Sequence, residues 1–119
     1  MKHRIYKYNL FQTIGTEQSI TMPVEAVILD FRFQYMYPFP TPSGVAHSYE
    51  TVPVPVIWAA VTDAAVEERK FILRYTGDSV DLRVRDRFDA GMMYGSERYI
   101  GTDIESSSGL VYHLFEVVQ

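Results

Sequence analysis

The sequence predicts an all-β chain, mainly antiparallel, folded as a small sandwich or partly closed barrel of seven to eight strands with at most one short helix. Three observations carry this. Apolar and polar residues alternate at period two in several stretches, which puts one set on each face of a strand. The links between those stretches are too short for crossover helices. A length of 119 residues suits one domain, 1–119, and an apolar content of 47% is enough for a packed core.

The elements follow in order. His3 to Phe11 reads as a strand with Tyr6, Tyr8 and Leu10 on one face. Gly15 suits the turn that follows, and Gln18 to Met22 is expected to return as the second strand of a hairpin, with Pro23 at its end or on an edge. Val27 to Tyr37 is the longest alternation: Val27, Leu29, Phe31, Phe33, Tyr35 and Tyr37 are expected to face the core. Residues 38–55 hold five of the six prolines and read as a long, partly polyproline-like loop insertion. Val56 to Thr62 is apolar on both faces, as expected of a central strand. Asp63 could cap a short helical turn running to Lys70. Phe71 to Tyr75 is a strand and Thr76-Gly77-Asp78 a turn. Val80 to Arg85 is a weaker strand with a charged face, and about 86–96 is a second loop insertion containing Gly91 and Gly95. Arg98 to Ile104 is a strand in which Gly101 marks a bulge or a close backbone approach. Ser106 to Gly109 is a turn, and Leu110 to Val118 a second central strand that completes a hairpin.

Composition excludes several classes of function. With no cysteine there are no disulfides, thiolate metal sites or cysteine nucleophile. No apolar run reaches the roughly 20 residues of a membrane span, and no charged-then-apolar leader opens the chain. A net charge of −4 argues against a dedicated duplex-DNA binder. No phosphate-binding loop, dinucleotide glycine pattern, nucleophile elbow or zinc-protease motif occurs, so no enzyme activity is expected. His3, His47 and His113 lack metal-site spacing, and neither a metal nor a cofactor is expected. His113 lies in a hydrophobic strand and is expected to be a buried histidine with a hydrogen-bond partner.

Three groups of segments resemble a known family. They are Ile5-Tyr6-Lys7-Tyr8-Asn9-Leu10, then Val56-Ile57-Trp58-Ala59-Ala60-Val61, then Arg98-Tyr99-Ile100-Gly101-Thr102 with Leu110-Val111-Tyr112-His113-Leu114-Phe115-Glu116. In this order the chain resembles a family of small tailed-phage and prophage proteins whose members read "YKY", "MP.GA.IL", "LWA.V", "YIGT" and "VFHLFE". Met22-Pro23-Val24-Glu25-Ala26-Val27-Ile28-Leu29 matches the second of these, with Val24-Glu25 where glycine is frequent. The resemblance implies a phage or prophage origin and a shared fold, and no catalytic residue. It does not cover residues 36–53 or about 80–95.

Nine tyrosines and seven phenylalanines are the feature least explained by a core. Tyr37, Phe39 and Tyr49 lie in or beside the proline-rich segment, and Met92, Met93 and Tyr94 in the second insertion. Aromatic residues and methionine bury much area at modest entropic cost and are enriched at binding surfaces. These six residues are therefore the candidate partner-binding site. The expected function is a non-enzymatic binding protein of phage origin that acts on a host protein in the host cytoplasm, for example as an inhibitor of host defence. The alternative is an oligomeric protein that sequesters a nucleotide through Arg83, Arg85 and Arg87, with tyrosines stacking on the base. A structural virion component is a further alternative. The bland reading of those arginines, interleaved with Asp78, Asp81, Asp86 and Asp89, is a solvated, self-paired edge strand.

Overall fold

The computed structural model describes residues 2–36, 52–85 and 91–118. They form an all-β sandwich of nine strands: β1 (Arg4–Asn9), β2 (Gln18–Pro23), β3 (Val27–Met36), β4 (Val52–Val61), β5 (Val66–Tyr75), β6 (Val84–Arg85), β7 (Met93–Tyr94), β8 (Glu97–Glu105) and β9 (Leu110–Val117). One sheet has the order β1-β4-β3, the other β2-β5-β9-β8, and β6 and β7 form a separate ribbon. Every ladder is antiparallel. β4 and β9 are interior strands, as their two-sided apolar character requires. The core between the sheets holds Leu10, Met22, Phe31, Ile57, Ala59, Phe71, Leu73, Tyr112 and Leu114.

Several expectations are corrected. β1 and β2 do not form a hairpin. β1 pairs with β4 and β2 with β5, so the link between them crosses from one sheet to the other. The Gln18 carboxamide closes this crossing by standing in for a peptide group: Phe11 N–H donates to its Oε1 and its Nε2 donates to Phe11 C=O, both at 2.6 Å. Gly15, at φ +75, turns the chain back after Ile14 has bridged to Leu73. Residues 66–70 are strand and not a helical turn, because pairing with β2 outweighs their local helix propensity.

Residues 52–55, expected in the proline-rich loop, belong to β4. Pro53 and Pro55 are tolerated there because of which way they face. Pro55 C=O accepts Leu10 N–H at 2.8 Å on the β1 side. The missing amides of both prolines therefore point to that side, at and beyond the end of β1, and the ladder to β3 is intact.

β3 departs from strict alternation. A bulge between Ile28 and Asp30 inserts Leu29 and reverses the phase. Val27 and Leu29 are exposed, while Ile28 packs on the core beside Phe31 and Phe33. β8 carries the matching irregularity between Tyr99 and Gly101. A Cβ at Gly101 would stand 3.3 Å from Phe31 Cβ, so glycine gives both the bulge and the close approach. Aromatic residues then cross the core: Phe31 to Phe33 at 5.8 Å, Phe33 to Tyr112 at 4.8 Å and Tyr112 to Tyr75 at 5.1 Å between ring centroids. Tyr99 is exposed on the outer face, packed edge-on against Phe115.

β3 and β8 face each other along one side of the sandwich without a ladder. Side chains stitch them. Asp103 Oδ2 accepts Phe33 N–H at 2.8 Å, and Tyr35 O–H donates to Glu105 Oε1 at 2.8 Å. Glu105 is buried at the β8–β9 turn, where it also accepts Ser107 N–H at 2.8 Å, Ser107 Oγ–H at 2.5 Å and Ser108 N–H at 2.8 Å. The hydrogen bonds from Ser107, followed by those from Ser108, hold its carboxyl at about 2 against burial, and Tyr35 adds to them.

Two outcomes follow. A carboxyl depressed from 4.5 to about 2 stabilises the fold above pH 4.5, and that contribution is lost as pH falls toward 2. Glu105→Gln should therefore melt below wild type at pH 7, and the gap should narrow between pH 4.5 and 2 in a pH series of thermal melts. Glu25, at φ +66, occupies the left-handed region in the tight turn where Ala26 N–H bonds Pro23 C=O at 3.1 Å. Relief of that strain exceeds glycine's extra chain entropy, so Glu25→Gly should raise the unfolding free energy by about 0.5–1 kcal/mol in urea titrations.

Candidate protein-binding ribbon

Val84–Arg85, from the segment 80–85 expected as a strand, and Met93–Tyr94, from the second insertion, pair as the β6–β7 ribbon. Val84 pairs with Tyr94 and Arg85 with Met93. Pleating places Val84 and Tyr94 on one face of the ribbon and Arg85 and Met93 on the other, with Leu82 and Met92 just outside the paired residues. Leu82, Val84, Met92, Met93 and Tyr94 are each between 42% and 50% exposed. The ribbon thus has an apolar face and a basic one.

Two strands alone are marginal in water. This pair is held at its base by a dense set of bonds. Leu82 bridges to Glu97 at the start of β8. Arg83 N–H donates to Glu97 C=O at 2.8 Å, and Asp81 C=O accepts the amides of Glu97 and Ser96 at 2.9 and 3.1 Å. The Glu97 carboxylate, itself buried, accepts Asp81 N–H at 2.8 Å and Arg74 Nη2–H at 3.0 Å. Arg74 lies on β5, so this ion pair spans β9 and ties the ribbon's base across the outer face of the four-stranded sheet. The Asp81 carboxylate accepts Ser96 N–H and Oγ–H at 3.1 and 3.0 Å.

Of the expected partner-binding residues, Met93 and Tyr94 lie on opposite faces of this ribbon and Met92 directly precedes them. Tyr37, Phe39 and Tyr49 lie outside the described residues, as does Arg87. Of the alternative anion-binding set, Arg83 is engaged, its Nη1 donating to Gly95 C=O at 3.1 Å, and Arg85 is exposed. In the sequence Leu82 and Val84 alternate with Arg83 and Arg85, a pattern that a strand with a charged face and a free ribbon share. Asp78 caps the turn after β5 by accepting Tyr75 N–H at 2.8 Å.

Phe11 is a further exposed aromatic, between two shallow clefts of about 420 and 380 Å³, one lined with Thr13 and Ile20 and the other with Pro53 and Pro55. His113 is half-buried on the outer face of the four-stranded sheet. Its Nε2 lies 2.8 Å from Thr76 Oγ1 and its Nδ1 2.9 Å from Thr102 Oγ1, so both ring nitrogens are occupied by hydroxyls. Among the described residues no group of His, Asp or Glu is arranged to hold a metal ion, and no helix is long and apolar enough to cross a membrane.

Fold and ribbon define a small all-β protein with an anchored, partly apolar two-stranded arm. The chain belongs to a family described as a domain of unknown function, DUF7352, whose model matches residues 1–119. No curated protein and no solved structure matches the chain.

Gly95 decides whether the ribbon can stay closed on its base. Its φ is +90, and a Cβ there would lie 2.2 Å from Leu82 O. Gly95→Ala is expected to cost about 1–3 kcal/mol in strain, with the clash in addition. Amide hydrogen exchange should show lost protection at Arg83, Ser96 and Glu97 while the β5–β9 ladder keeps its own.

Proposed function

We propose that this chain is a non-enzymatic binding protein of phage origin that acts on a host protein in the host cytoplasm, with inhibition of a host defence as its purpose. The observation that carries the reading is the ribbon: the apolar side chains of Leu82, Val84, Met92, Met93 and Tyr94 are left exposed on a base fixed by Glu97, Asp81 and Arg74. A base already fixed leaves less backbone to order on binding, and methionine adapts its shape to a partner. Tyr37, Phe39 and Tyr49 serve as further aromatic contacts in this proposal. The phage origin is supported by the ordered segments from Ile5-Tyr6-Lys7-Tyr8 to His113-Leu114-Phe115-Glu116.

The test is capture from host lysate by tagged wild type and by a Met92→Ser, Met93→Ser, Tyr94→Ser variant that melts like wild type. Loss of a binding hot spot of about 2 kcal/mol lowers affinity roughly 30-fold, so the partner captured by wild type should be nearly absent with the variant. Equal capture by both removes the ribbon from the interface. A nucleotide panel in thermal melts addresses the sequestering alternative through Arg83 and Arg85: a ligand at one hundred times its Kd stabilises by about 2.7 kcal/mol.

A further inference from the structure

The two sheets have four outer strands, and among the described residues three of them are blunted. β3 and β8 are each bulged and are stitched to one another through Asp103 and Glu105. β2 ends in Pro23. The phase of β2 follows from Val24 N–H, which donates to Ala65 C=O at 2.7 Å. Even-numbered amides of β2 thus face β5, odd-numbered ones face outward, and Pro23 has no amide to offer.

β1 has none of these devices. Among the described residues it pairs with β4 alone. Leu10 N–H donates to Pro55 C=O, which sets even-numbered positions toward β4 and leaves the amides and carbonyls of Ile5, Lys7 and Asn9 pointing away from the sheet. No proline, glycine or bulge interrupts Arg4–Asn9. Lysine is a common edge guard, but Lys7 is drawn across the sheet face: its Nζ donates to Gln34 Oε1 at 3.0 Å and lies 5.8 Å from the centroid of the Trp58 ring. Ile5 is 66% exposed and Tyr6 46%.

We propose that two copies of this chain join at this edge, β1 against β1 and antiparallel across a twofold axis, so that two three-stranded sheets become one of six strands. What selects a second copy as the occupant is that β1 complements itself in one register. A twofold pair that uses the outward groups of Ile5, Lys7 and Asn9 must match odd positions with odd. Centring it on Lys7 sets Lys7 opposite itself, an unfavourable like-charge pair. Centring it on Ile5 leaves Lys7, Tyr8 and Asn9 opposite residues that precede Arg4, the start of the other strand. Centring it on Tyr6 sets Ile5 opposite Lys7, His3 opposite Asn9 and Arg4 opposite Tyr8 of the second copy, with the two Tyr6 residues facing each other. Tyr6 then occupies the close-spaced position without hydrogen bonds, where Cβ atoms lie about 4.5–5.5 Å apart, and Arg4 is within reach of a tyrosine ring.

The chain has no cysteine, so a single introduced one reports this geometry. Under mild oxidation Tyr6→Cys should form a disulfide-linked dimer at least tenfold faster than Asn9→Cys, whose copies lie six positions apart along the paired strands. Light scattering should give wild type twice the 13.7 kDa of one chain at roughly 100 µM, where even a micromolar pairing is filled. Ile5→Pro removes an outward amide and no bond to β4, and should be monomeric with an unchanged circular dichroism spectrum, whereas Ser19→Pro on β2 should remain dimeric. Wild type at single-chain mass, equal oxidation rates for the two cysteine variants, or a folded Ile5→Pro that stays dimeric would each overturn the proposal. If Ile5→Pro unfolds, the oxidation rates decide.

Discussion

A carboxylate taken out of water must be met by donors, and β8 and β9 bury three of them: Glu97, Glu105 and Glu116. Each is answered by a different part of the chain, so satisfying them arranges the structure around these two strands. Glu97 takes Arg74 and the backbone of Asp81, which brings the ribbon to the start of β8. Glu105 takes the turn serines and Tyr35, which closes the β3 side of the sandwich. Glu116 takes the Arg69 guanidinium at 2.6 and 2.7 Å, together with Arg98, while Arg69 also donates to Ala26 C=O at 2.6 Å. Burial pushes the Glu116 carboxyl up, but hydrogen bonds and charge from Arg69 and Arg98 outweigh it and hold it below its ordinary value. Among the described residues no buried side-chain nitrogen or oxygen lacks a partner. Removing one donor from such a set strands a charge, so the cost of losing an arginine here exceeds the worth of a single hydrogen bond.

Alternation in the sequence was enough to find the strands that have one wet face and those that have none. It identified β4 and β9 as interior, and Gly101 as the site of a bulge. It did not identify partners. The short link after Phe11 looks like a hairpin because hairpins need only proximity in sequence, whereas the observed crossing depends on Gln18 reaching back to the Phe11 backbone. The bulge at Leu29 was hidden for a different reason. One inserted residue reverses inside and outside, and Leu29 is as apolar as the core residues on either side of it. The buried glutamates were hidden as well, since Glu105 and Glu116 read as ordinary polar positions until Tyr35, Ser107 and Arg69 are brought beside them.

The site was legible to about the same depth. Met92, Met93 and Tyr94 stood out because no regular strand claimed them. Leu82 and Val84 did not, because alternation with Arg83 and Arg85 describes a strand on a core as well as a strand in a free ribbon. Only the pairing with β7 separates the two. Gly95 is the hinge of that distinction, since the left-handed turn and the contact with Leu82 O are what let the chain double back at this point. The tyrosines divide in the same way. Tyr112 and Tyr75 serve the core with Phe33, Tyr35 serves the seam, and Tyr6, Tyr94 and Tyr99 are left with large exposed area.

The β1 edge and the ribbon, both exposed among the described residues, offer different chemistry. β1 presents main-chain groups, which every polypeptide can match, so selectivity there has to come from register: a strand is chosen by what its side chains meet once the backbone is paired. The ribbon presents side chains on a backbone already paired to itself, so its selectivity has to come from shape and from the apolar contact that Tyr94, Met92 and Val84 can make. Backbone edges suit association with a copy whose register is fixed by symmetry, and adaptable apolar side chains suit a foreign surface. β1 edges the three-stranded sheet and the ribbon's base rests on the four-stranded one, so an assembly at the first, as proposed, would leave the second uncovered.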